Sequence, residues 1–129
     1  MKTDSTVYIL SKQFALRIIK LYKFLTEEKH EYIMSKQIYR SGTSIGANFA
    51  ERKFASSRAD YLNKMRIALK EANETLYWLE LLKDADYIKI KEFESLSNDL
   101  KTIIGTTVNI INKVKENYKI IITQIESRE

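Results

Sequence analysis

Leu62, Met65, Leu69, Ala72, Leu76 and Leu79 alternate spacings of three and four without a break, with mostly polar side chains between them. That is a heptad seam, and it predicts a helix. Tyr61, Ala68, Thr75 and Leu82 form a parallel row, widening the seam into the stripe of a helix that touches two neighbours. A bundle is therefore expected rather than a two-stranded coil. Ser57 followed three residues later by Asp60 has the spacing of a capping box, so this helix is placed from Arg58 to Ala85.

The same period recurs in Phe93, Leu96, Leu100, Ile103, Ile110 and Val114, seconded by Ile104, Val108, Ile111 and Tyr118. It predicts a helix from Lys91 to beyond Tyr118. Near the N-terminus, Val7, Leu10, Phe14, Leu21 and Phe24 are seconded by Ala15, Ile18, Tyr22 and Leu25. This first helix is expected to open at an N-cap, Asp4 or Ser5, and to end near Glu28.

A segment from Ser35 to Lys53 carries Ile38, Ile45 and Phe49 but also Ser41, Gly42, Ser44, Gly46 and Ala47. Each interior glycine costs a helix about 1 kcal/mol relative to alanine. The compensation expected is close approach of a neighbouring backbone, either inside the bundle or at a subunit contact. Connections near residues 29–34, 54–57 and 86–90 are short and force adjacent helices to run antiparallel. The expected fold is an all-α, antiparallel up-down-up-down four-helix bundle, with residues 1–129 forming one domain.

Composition agrees with this reading. Absence of proline and only three glycines in 129 residues starve the turns that β architectures need. With no cysteine, disulfides, thiolate metal sites and thiol nucleophiles are excluded. Lys12, Gln13 and Arg17 interrupt the N-terminal apolar positions, so no signal peptide or membrane span is expected. A cytoplasmic protein with no membrane partner is the simplest expectation.

Catalytic constellations are missing. A di-metal bundle requires two Glu-x-x-His pairs, yet His30 is the one histidine and falls in a predicted loop. Ser-His-Asp chemistry would require that same ring and a strand-to-helix elbow. The stretch Gly42-Thr43-Ser44-Ile45-Gly46 lacks the Gly-Lys-Ser/Thr ending and the preceding strand of a phosphate-binding loop. No catalytic residue, metal or cofactor is assigned, and the chain is expected not to be an enzyme. Arg40, Asn48, Glu51 and Glu74, with Glu71 and Arg52 nearby, are read as an interhelix polar network.

Charge is unevenly laid out. Residues 34–70 hold eight basic and two acidic side chains, whereas residues 71–99 hold three basic and eight acidic. In an up-down bundle Arg52, Lys53, Arg58, Lys64, Arg66, Lys113, Lys115 and Lys119 would gather toward the end carrying both termini. Glu27, Glu28, Glu31, Glu80, Asp84, Asp86, Glu92 and Glu94 would gather toward the other. Some of these charges complement helix dipoles, but Lys64 and Arg66 have no capping role. The basic end is thus a candidate surface for nucleic acid.

The run Gln37-Ile38-Tyr39-Arg40-Ser41-Gly42-Thr43-Ser44-Ile45-Gly46-Ala47-Asn48-Phe49-Ala50-Glu51 resembles the hallmark helix of a family encoded in intervening sequences of bacterial large-subunit (23S) ribosomal RNA genes. Ser57-Arg58-Ala59-Asp60-Tyr61-Leu62, Ile67 to Thr75 and Tyr77 to Leu82 resemble its third helix. Arg52 stands where a small residue is expected, and Lys29-His30-Glu31-Tyr32 replaces a proline-containing turn. The resemblance implies an antiparallel bundle. Through similarity to the accessory variability protein of diversity-generating retroelements it also implies a ring-shaped homo-oligomer, a pentamer, that binds nucleic acid and partners a reverse transcriptase. Two functions follow as expectations: a non-catalytic oligomer binding RNA or DNA, or a protein-interaction scaffold or reverse-transcriptase accessory subunit without nucleic-acid specificity of its own.

Overall fold

The computed structural model describes residues 2–128, with side chains from Ser5 onward. Its elements are α1 (Lys2–Glu27), α2 (Met34–Glu51), a 3-10 turn (Arg52–Phe54), α3 (Arg58–Asp84) and α4 (Ile90–Ser127). No strand occurs among the described residues. Each helix packs on two neighbours in cyclic order, and α4 closes on α1.

Contacts step in opposite senses along each pair. Arg40 meets Glu74, while Glu51, farther along α2, meets Lys64, nearer the start of α3. Lys83 lies over Phe93 and Arg58 over Tyr118. On the α1–α2 seam, the Tyr22 ring contacts Tyr39, and Tyr8 lies under Arg52 just past α2. The fold is the expected antiparallel four-helix bundle.

The core is continuous through all four helices: Phe14, Ile18 and Leu25 from α1, Ile38, Ile45 and Phe49 from α2, Met65, Leu79 and Leu82 from α3, and Leu96, Leu100 and Ile103 from α4. On α3 the fully buried stripe runs between the two expected rows, taking Ala68, Thr75 and Leu82 and leaving Leu69 and Leu76 half-buried. A helix wedged between two neighbours buries a face broader than one seam. Phe24, Val108 and Tyr118, expected to face the core, are exposed.

Helix ends explain several charges. Ser57 caps α3, its Oγ accepting from the Asp60 amide at 3.1 Å. Asp60 accepts from the Ser56 amide at 3.0 Å rather than from that of Ser57, so the box is displaced by one residue. Glu31, assigned from the sequence to an acidic end, is only 8% exposed. Its carboxylate accepts from the amides of Ile33, Met34 and Ser35 at 3.1, 3.0 and 2.7 Å, satisfying the orphan donors that open α2. Asp86 has φ 65° just past α3, where the Tyr87 amide reaches the Leu82 carbonyl at 2.9 Å. That is a left-handed helix stop, and a short polar side chain tolerates it.

Two expectations change. Helix α1 already runs through Asp4 and Ser5, so Ser5 is no cap, and the Asp4 side chain lies outside the described residues. Helix α2 stops at Glu51, and Arg52 and Lys53 lie in the 3-10 turn. Phe49 is the last buried residue of α2, leaving nothing beyond it to hold the α register against a tighter turn. Gly42 and Gly46 both face α1, at Ile18 and Ser11. Their close approach is internal to the bundle.

Candidate nucleic-acid interface

Arg52, Lys53 and Arg58 belong to the α2–α3 connection, and Lys113, Lys115 and Lys119 to the last third of α4. The two groups share one end of the bundle. They are joined by Arg58, whose guanidinium carbon lies 4.5 Å from the Tyr118 ring centroid.

Local partners divide the eight cations. Lys64 donates to Glu51 at 2.9 Å; that hydrogen bond and the carboxylate charge hold the Lys64 ammonium above its usual pKa. Arg52 donates to the Phe49 carbonyl and covers the Tyr8 ring. Lys53 lies 5.9 Å from the Phe54 ring centroid. On Arg58, Nη1 is buried without a hydrogen-bond partner, so it is not presented to a phosphate. Arg66, Lys113, Lys115 and Lys119 are exposed, and none pairs with a carboxylate among the described residues. These four leave their charge to solvent or to a polyanion.

The residues read as one polar network separate into pieces. Arg40 Nη2 donates to both carboxylate oxygens of Glu74 at 3.0 Å, and its Nη1 lies 3.7 Å from Glu71. Asn48 instead donates to the Ser44 carbonyl of its own helix at 2.9 Å. Glu51 is taken by Lys64. Residues 40 and 51 lie eleven positions apart on one helix, roughly 16 Å along its axis, which is too far for one network.

At the opposite end a groove of about 1360 Å³ opens between α1 and the α3–α4 connection. Leu21, Phe24, Ile88 and Phe93 give it an apolar lining. Arg17, Lys20, Lys29, Lys83, Lys89 and Lys91 stand beside Asp84, Asp86, Glu92 and Glu94. The end expected to be acidic is therefore mixed in charge, because Arg17 and Lys20 of α1 and Lys29 just past it lie outside the count over residues 71–99. Arg17 holds one wall, donating to Asp99 at 2.6 Å and to Ser95 Oγ at 2.8 Å. In the sequence, Phe24 on the core-facing row gives no sign of the groove that it lines.

Among the described residues no group of three or more His, Cys, Asp or Glu side chains is placed to hold a metal. No helix there is long and apolar enough to cross a membrane. Residues 3–109 match the family described as 23S rRNA-intervening sequence protein. The chain belongs to that family. A crystal structure of a protein of unknown function from the S23 ribosomal protein family of Bacteroides thetaiotaomicron VPI-5482 is similar at 55% identity and a TM-score of 0.84, covering 85% of this chain and 98% of that one. No curated protein sequence matches significantly. The family match ends at residue 109, so Lys113, Lys115 and Lys119 lie beyond it, whereas Arg66 lies within it.

Proposed function

We propose that this family member is a non-catalytic, single-domain cytoplasmic protein that self-associates, as a pentameric ring by the resemblance, and binds RNA or DNA through its basic end. The observation that carries the reading is the set of four exposed cations on one half of the bundle, Arg66, Lys113, Lys115 and Lys119, that have no carboxylate partner among the described residues. Phosphate backbones bind such clusters by counterion release, and each contact adds about 0.9 to the salt slope.

A second reading is a protein-interaction scaffold or a reverse-transcriptase accessory subunit. It is supported by Phe54, 79% exposed in the α2–α3 connection, since exposed aromatics anchor protein interfaces. Sedimentation with a structured RNA at low and moderate salt separates the two. Under the first reading the protein shifts with RNA at low salt and loses the shift as salt rises. Replacing Lys115 and Lys119 by Ser then lowers the salt slope by about two. Indifference to RNA and to DNA at low salt overturns it in favour of the scaffold.

A further inference from the structure

We propose that the basic end takes single-stranded rather than duplex nucleic acid, with Phe54 as a ring on which a base stacks. The inference rests on the proposed nucleic-acid binding and adds the form of the strand. Phe54 closes the 3-10 turn of the α2–α3 connection, none of whose three residues is buried. At 79% it is the most exposed large apolar side chain among the described residues, and it contributes nothing to the core. A single bare ring is ordinary on a protein surface; its neighbours set this one apart. Lys53 Nζ lies 5.9 Å from the Phe54 centroid. The acids nearest in sequence are both engaged, Glu51 by Lys64 and Asp60 by the Ser56 amide.

A second aromatic stands at the same end. Arg58 covers the Tyr118 ring at 4.5 Å, yet Tyr118 stays 49% exposed. Phe54 precedes Arg58 by four residues, which span at most about 14 Å of chain, so one short strand can reach both sites. On α4, Lys115 shares a face with Tyr118 and Lys119, at the three- and four-residue spacings of helix neighbours. Residues 113–119 hold three lysines against one acid, Glu116. Cations interleaved with exposed rings suit a single strand, whose phosphates follow the lysines while its splayed bases stack on the aromatics. A duplex keeps its bases stacked on one another and offers these rings only backbone and groove edges. Protein interfaces also enrich aromatic residues, but they are depleted in lysine, and lysines flank both rings here.

The test is fluorescence anisotropy at low salt with labelled oligouridylate and oligothymidylate strands of about 16 nucleotides, set against RNA and DNA duplexes of the same length. The wild-type chain is expected to bind a strand more tightly than the matching duplex. Phe54→Ala should weaken strand binding roughly 5- to 150-fold. Duplex binding and the salt slope should stay as they are, because no phosphate contact is lost. Phe54→Trp should restore strand binding, with its added indole emission quenched by the strand. Trp78 of the wild-type chain, 20 residues along α3 from Arg58 and so about 30 Å away, should not respond. Because Phe54 lies outside the core, all variants should keep their helical content by circular dichroism. Equal wild-type affinity for strand and duplex, or equal losses on both in Phe54→Ala, overturns the inference and leaves binding by the basic end standing. Unchanged strand binding in Phe54→Ala overturns it as well, and a lower sedimentation coefficient in that variant would then assign the ring to a contact between copies. A wild-type chain that binds none of these probes overturns the proposed function itself.

Discussion

A Cβ on Gly42 would stand 2.8 Å from Cγ1 of Ile18, closer than real Cβ contacts come, and 3.0 Å from its Cγ2. Ile18 is fully buried and β-branched, so it has no free rotamer into which to retreat. Gly42→Ala is expected to destabilise by about 1–3 kcal/mol through overpacking, despite alanine's better helix propensity. Gly105 meets nothing within 4 Å of the same construction, and Gly105→Ala should stabilise by about 1 kcal/mol. Urea midpoints of the two variants moving in opposite directions would support this; a common direction would refute the close approach of α1 and α2.

Glu31 holds three amides at the start of α2 from a nearly buried position. Glu31→Ala is expected to cost about 2–3 kcal/mol, because buried donors lose a charged acceptor. The exposed Glu27→Ala, as a control, should stay within about 0.5 kcal/mol of wild type. Equal midpoints for the two variants in thermal melts would remove Glu31 from the fold's support.

Ser41 and Thr75 are both fully buried and hydrogen-bonded to each other at 2.9 Å across α2 and α3. Thr75→Val leaves the Ser41 hydroxyl buried without that partner and should cost about 1–3 kcal/mol. Combining it with Ser41→Ala should cost less than the sum, with a coupling of about 0.5 kcal/mol or more in a double-mutant cycle. Strict additivity would show that the two hydroxyls do not interact.

Lys64 keeps its proton to higher pH in the folded chain than in the unfolded one, chiefly because of the hydrogen bond to Glu51. Its contribution is therefore fully present below the unfolded lysine pKa of about 10.4 and is lost as pH rises through the higher folded value. Glu51→Gln should move the Lys64 titration, followed by NMR of the side-chain carbons, back toward that unfolded value. An unmoved titration would place the cause elsewhere.

The periodic rows decided helix number, order and approximate bounds, because burying one face of a 3.6-residue repeat leaves few alternatives and short connections leave only antiparallel neighbours. The Ser57 cap was legible for a similar reason: its donor lies three residues away. The same local reading placed the lysines of one end together, since up-down order maps chain position onto bundle end.

What required tertiary structure was pairing between helices. Lys64 and Glu51 lie 13 residues apart, and only the register of α2 against α3 turns a cluster cation into half of an ion pair. Glu31 read as surface charge until the chain turned back to set it beneath α2. Tyr118, on a row expected to face the core, is exposed, because periodicity records which face of a helix is apolar and not how far its neighbours extend beside it.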